Sequence, residues 1–114
     1  MPSAQQQGRQ AEELALAYFL QNGYELKARN VRYKRSEIDL IVSKDQLLVF
    51  VEVKFRKGIQ YGHPEEFVSV NQQRSIIDGA DFYIESNNWS GNIRFDIIAV
   101  DAQMNIEHFE DAFY

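Results

Sequence analysis

Residues 36–55 read SEIDLIVSKDQLLVFVEVKF, and the reading of this stretch decides the fold. Its first part alternates through Ile38, Leu40 and Val42, the period-two pattern of a half-buried strand. Its last part, Leu47 to Phe55, is rich in β-branched and aromatic residues, and Lys44-Asp45-Gln46 between the two is turn chemistry, so the stretch predicts a hairpin. The wholly apolar run Leu47–Val51 predicts a central strand covered on both faces. Charge nonetheless enters both strands, as Glu37 and Asp39 in the first and as Glu52 and Lys54 in the second. Side chains alternate along a strand, which places Glu52 and Lys54 on the face of Phe50 and away from Val51, Val53 and Phe55, and puts Glu37 with Asp39. Paired as a hairpin, the strands bring Asp39, Glu52 and Lys54 together at one end of the sheet.

Upstream, Ala11, Leu14, Ala15, Tyr18 and Phe19 recur at amphipathic-helix spacing, predicting a helix from Gln5 to Asn22 that stops at Gly23, with Ser3 and Gln6 forming either a capping box or a frayed terminus. Tyr24 to Val42 alternates well enough for two strands. Downstream, Gly58 and Gly62 loosen a loop from Ile59 to Pro64, and helical spacing returns from Val68 to Glu85 through Ile76, Ile77, Ala80, Tyr83 and Ile84. Turn residues fill 87–92, Ile93, Phe95 and Ile97 begin a further strand, and Ile106–Phe109 form a short edge strand. This order predicts an α/β fold with a mixed central β-sheet flanked by helices. A chain of 114 residues suits one domain spanning 1–114.

Composition narrows the function. With no cysteine, disulfides, thiolate zinc sites and a cysteine nucleophile are excluded, so any metal is held by oxygen or imidazole. The polar N-terminus and the shortness of the longest apolar run predict no membrane span and a cytoplasmic protein. The net charge of -5 conceals a polarised distribution: residues 1–60 carry 10 Lys and Arg against 7 Asp and Glu, residues 61–114 carry 2 against 10. Lys27, Arg29, Arg32, Lys34 and Arg35, with Lys54, Arg56 and Lys57, either give one face a positive potential for nucleic acid or serve as solvated defence of strand edges.

The strand acids carry the chemistry. Carboxylates close together and out of water are costly unless a cation or shared proton relieves them. Mg²⁺ or Mn²⁺ suits Asp39, Glu52 and a backbone carbonyl, that of Val53, and such an ion activates water and polarises a phosphodiester. Lys54 would orient the attacking water and stabilise developing charge. The alternative is a salt-bridged polar strand end at the rim of the core.

Ser36-Glu37-Ile38-Asp39-Leu40-Ile41, Val49-Phe50-Val51-Glu52-Val53-Lys54 and Arg56 together resemble the signature of the YraN-like family. The likeness extends to Gly8 and Glu12, Gly23-Tyr24, Arg29-Asn30, Tyr61-Gly62 with Pro64, Glu66 and Val68, and Arg94-Phe95-Asp96. That family is similar to the PD-(D/E)xK nucleases, closest to archaeal Holliday-junction resolvases. The resemblance implies a restriction-endonuclease-like fold, Asp39 and Glu52 as metal ligands, Lys54 as catalytic lysine, Glu12 as the helix-one acid completing the site, and Glu37 as an accessory carboxylate. Ser36 stands where the family has glycine, a mild change at negative φ, and Gln72-Gln73 stand where it commonly has a lysine.

Arg35, Arg56 and Lys57 are the expected phosphate contacts. His63 and His108 are expected to be surface histidines, and Trp89 to cover the core edge. The expected function is a metal-dependent endonuclease acting on DNA in preference to RNA, including branched DNA, as a homodimer. Its alternatives are a non-catalytic nucleic-acid-binding module of the same fold and an interaction protein whose acidic C-terminal half docks a basic partner.

Overall fold

A computed structural model describes residues 3–56 and 68–114. Helix α1 (Ala4–Gln21) precedes strands β1 (Glu25–Tyr33), β2 (Ser36–Lys44) and β3 (Leu47–Phe55), helix α2 (Val70–Ser86), and strands β4 (Asn92–Val100) and β5 (Ile106–Phe109). The five strands form one sheet in the order β1-β2-β3-β4-β5. β3 and β4, joined through α2, run parallel; the other neighbours are antiparallel. The expected α/β architecture, mixed and restriction-endonuclease-like, is what the chain adopts, with β3 at its centre. The predicted loop of 59–64, with His63 and Lys57, lies outside the described residues.

Local signals explain the helix ends. The Ser3 side chain accepts from the Gln6 amide while the Gln6 side chain accepts from the Ser3 amide, completing the capping box. Gly23, at φ 87, makes the left-handed exit from α1 that side-chain-bearing residues resist. Helix α2 begins after Ser69, which caps Gln72; the predicted start at Val68 is two residues early because Val68 is a buried core residue ahead of the cap. Asp45, at φ 57, turns the β2–β3 hairpin.

The sheet is covered on both sides. Ala11, Ala15 and Phe19 of α1 pack on Leu40, Val42, Val49, Val51, Ile98 and Val100. Ile76 and Ala80 of α2 pack on the other face, over Ile38, Ile41, Leu48, Phe50, Phe95 and Ile97. Burying each of the Val, Leu, Ile and Phe side chains stabilises by about 1.5–3 kcal/mol. Strict alternation would put Ile38 on the side of Leu40, yet it packs with Ile41 beneath α2: the period of β2 breaks at Asp39. Among the described residues, no helix is long and apolar enough to cross a membrane.

Candidate metal and nucleic-acid site

The break in β2 opens the site. β2 and β3 pair from Lys44↔Leu47 to Leu40↔Val51 and no further. One step on, where Asp39 would face Glu52, the Asp39 Oδ2 accepts a hydrogen bond from the Val53 amide at 2.8 Å in place of a ladder bond. In an extended strand the N–H and C=O of one residue point to the same edge, so the Val53 carbonyl faces the same opening. The sequence-predicted set of Asp39, Glu52 and Val53 therefore meets where the two strands part.

Both acids are buried, Asp39 at 8% and Glu52 at 7% exposure. Their carboxyl groups are in hydrogen-bonding contact, and burial first, then the contact with Glu52 and its charge, push the Asp39 carboxyl up to about 9 against the opposing hydrogen bond from Val53. Two carboxyl groups can share such a contact only through a proton or a cation. Neither pairs with a Lys, Arg or His among the described residues. Glu52 accepts instead from Gln72 Nε2 of α2 at 2.8 Å, which places one of the two helix glutamines inside the site; Gln73 turns back to the Val68 carbonyl.

The pair opens into a cavity of about 370 Å³ lined also by Arg35, Glu37, Asn71 and Ser75. Lys54, half-buried and two residues along β3 from Glu52, forms no ion pair among the described residues. Glu12 stands on α1, where burial raises its pKa against the hydrogen bond from Asn30, and the nearby charges of Asp39 and Glu37 add to the rise. Asn30, in the left-handed region at φ 52, donates to both Glu12 and Glu37, at 3.1 and 3.4 Å. Glu12 is thus near the pair without joining it, and among the described residues no three Asp, Glu or His side chains gather closely enough to hold an ion.

Of the predicted phosphate contacts, Arg35 lines the cavity, Arg56 follows β3 with its amide bonded to the Val100 carbonyl, and Lys57 lies outside the described residues. The basic cluster divides between its two readings: Arg29 pairs with Glu13 at 2.6 Å and Arg32 with Glu37 at 3.0 Å, whereas Arg35 remains exposed at the cavity mouth. Ser36 has no positive φ, as its place in the glycine block requires. Its hydroxyl donates to the Tyr33 carbonyl and lies 2.8 Å from where a Cβ on Gly79 would stand, so α2 approaches the hairpin closely because residue 79 is glycine.

A second polar centre lies beneath α1 and was not legible in the sequence. Asp96, fully buried, takes two bonds from Arg94, at 2.8 Å each, one from His108 Nε2 at 2.7 Å and one from the Asp111 amide. His108 Nδ1 meets the Tyr18 hydroxyl at 2.9 Å, and Arg94 reaches the Tyr24 hydroxyl. His108 is accordingly a member of a part-buried network and not the surface histidine expected, because β5 lays it against β4 and under α1. In the register His108 lies opposite Ile98 and reaches Asp96 two residues along β4, a diagonal contact that strand pairing creates. Trp89 does cover the core edge, its indole donating to the Asn92 carbonyl.

Residues 11–100 match the group described as "Uncharacterised protein family UPF0102". The UPF0102 protein of Flavobacterium psychrophilum is 39% identical over 110 residues, covering 94% of this chain and 92% of its own. That of Cytophaga hutchinsonii is 40% identical over 106 residues, covering 93% and 94%, and that of Chlorobium limicola 42% over 117 residues, covering 94% and 91%. Matched nearly end to end, through the Glu-Ile-Asp and Glu-Val-Lys blocks that build the opening between β2 and β3, the chain belongs to the uncharacterised protein family UPF0102.

Proposed function

We propose that this protein is a Mg²⁺- or Mn²⁺-dependent endonuclease that hydrolyses phosphodiester bonds in DNA. The observation that carries the reading is the buried contact between Asp39 and Glu52 at the open end of the β2–β3 ladder, with no protein cation paired to it among the described residues. A carboxyl pair of this kind is a proton-sharing or ion-holding device, and its all-oxygen donor set suits a hard divalent ion. Asp39, Glu52 and the Val53 carbonyl would hold that ion, with Glu12 and Glu37 adding negative charge nearby. When bound, a divalent ion supplies Lewis acidity toward a phosphodiester oxygen and lowers the pKa of water.

The chain's own residues supply the rest. The Val53 amide fixes the orientation of Asp39, and the Gln72 amide holds one oxygen of Glu52. The Lys54 ammonium, on the same strand as Glu52, would orient an attacking water and neutralise charge as it accumulates on phosphorus-bound oxygens. Arg35 at the mouth and Arg56 beyond Lys54 would steer the phosphate backbone, and Lys57 continues the basic run.

Labelled duplex, single-stranded and junction DNA incubated with Mn²⁺ tests this. Cleavage by the wild type, lost by 10²-fold or more in Asp39→Asn, Glu52→Gln and Lys54→Ala, is the expected result. Cleavage that persists in all three variants would reject the site.

A second reading draws on a specific observation: Gln72 occupies an oxygen of Glu52, and no third acidic ligand closes on the pair among the described residues. On that reading the chain binds nucleic acid without cutting it, and a gel shift that weakens with salt and with Arg56→Ala but is indifferent to Glu52→Gln would favour it.

A further inference from the structure

The cavity at Asp39 and Glu52 does not end at the carboxyl groups. Arg35, Ser36 and Ser75 line it and also line a wider groove of about 600 Å³ that continues between the β1–β2 turn and α2. In that groove Phe82 stacks on Tyr33, with ring centroids 4.5 Å apart and planes 23° from parallel, and the Lys34 Nζ lies 5.3 Å from the Tyr33 centroid. Lys34 and Tyr33 therefore occupy one side of the stack, while Phe82 remains 47% exposed. The walls differ in charge: Lys34 and Arg35 lie on the turn, and Asp78, Asp81 and Glu85 lie on α2.

We infer that this groove receives an unpaired nucleotide adjoining the phosphodiester at the acidic pair, its base stacked on Phe82 and its phosphate held toward Arg35 and Lys34. The inference rests on the nucleic-acid reading of the acidic pair and extends it to the form of the substrate. An exposed aromatic face binds any base, because every base has a π-face. The acidic wall repels a phosphate backbone and so confines it to the turn, while its carboxylates accept hydrogen bonds from the amino edges of the base. A base inside a duplex has both faces stacked and its edge paired, and enters only at the cost of unstacking and unpairing, which an unpaired base does not incur. The substrate accordingly carries a single-stranded segment, a flap or a junction beside the cleavage position. A basic peptide would meet the α2 wall but be repelled by Lys34 and Arg35 opposite it.

The test is to titrate the full chain, in EDTA at low ionic strength, into an oligonucleotide bearing one unpaired 2-aminopurine and into the same fluorophore within a complete duplex. Stacking should change the fluorescence of the unpaired probe alone, with affinity reduced on the order of tenfold by Phe82→Ala and restored by Phe82→Tyr. Circular dichroism of Phe82→Ala should match the wild type, with thermal unfolding still cooperative though lowered by loss of the stack on Tyr33. An undiminished signal in Phe82→Ala, an equal response to the duplex, or no response to the unpaired probe overturns the inference. The readout needs neither divalent ion nor cleavage, so a chain that never cuts DNA can still pass, and one that cuts with no dependence on Phe82 rejects the groove while leaving the nuclease intact.

Discussion

Two buried carboxylates on opposite faces of one sheet meet opposite electrostatic fates. Asp96, beneath α1, is surrounded by donors: although burial alone would raise its pKa, bonds from His108, Arg94 and the Asp111 amide outweigh that and hold it below the usual carboxylate range. Asp39, on the side of Glu52 and α2, has one amide donor and a second carboxyl against it, and its pKa is pushed up to about 9. The first centre is complete as a piece of structure. The second is complete only if a proton or a cation enters it, which is what separates a group that holds the fold from one that awaits a partner.

Breaking the complete centre should cost most. Asp96→Ala leaves the Arg94 guanidinium, with only 18% of its side chain exposed, without its buried partner, and urea denaturation should register a loss of about 3–5 kcal/mol. The pH dependence carries the same signature. Because the folded pKa of Asp96 lies below its unfolded value, its contribution is present above the unfolded value near 3.8 and is lost as pH falls through the folded one. Acid titration of wild type against Asp96→Asn should therefore show a steeper loss in the wild type; parallel curves would reject the assignment.

Asp39→Asn should have the opposite sign. A carboxyl raised to about 9 destabilises the ion-free fold progressively as pH climbs from its unfolded value near 3.8 toward 9. The amide keeps an oxygen for the Val53 N–H and never ionises, so it avoids the cost of protonating a carboxyl on folding, and at pH 8 in EDTA the variant should equal or exceed wild-type stability by about 1 kcal/mol. A loss comparable to that of Asp96→Ala would make the two centres alike and dissolve the distinction between them.

Mn²⁺ sharpens the contrast from the other side. An ion that displaces the shared proton binds better as pH rises, so its increase in melting temperature should be several degrees larger at pH 8 than at pH 6 and should vanish in Asp39→Asn. Asp96→Asn should retain the shift. The smallest effect belongs to the outer edge of the complete centre: Tyr18→Phe removes a single hydroxyl bond to His108 and should cost about 1 kcal/mol, read by urea denaturation.

The sequence by itself determined the elements and the site's polar members. The capping box at Ser3, the turn at Asp45 and the apolar run of β3 are local signals, each fixed by propensity or periodicity within a few residues, and each sits where expected. The acids at 39 and 52 stood out because charge in an apolar strand is costly wherever that strand packs. Only the tertiary structure decided that the ladder stops at Leu40↔Val51, that Gln72 reaches Glu52, that Glu12 bonds to Asn30 and not to the pair, and that Tyr18, Arg94, Asp96 and His108 form one network. The side-chain hydrogen bonds among these join residues 12 to 90 positions apart in the chain, apart from the short Arg94–Asp96 link. Periodicity assigns a side chain to a face, but which side chains meet on that face depends on strand order and register, which a one-residue shift would rewrite.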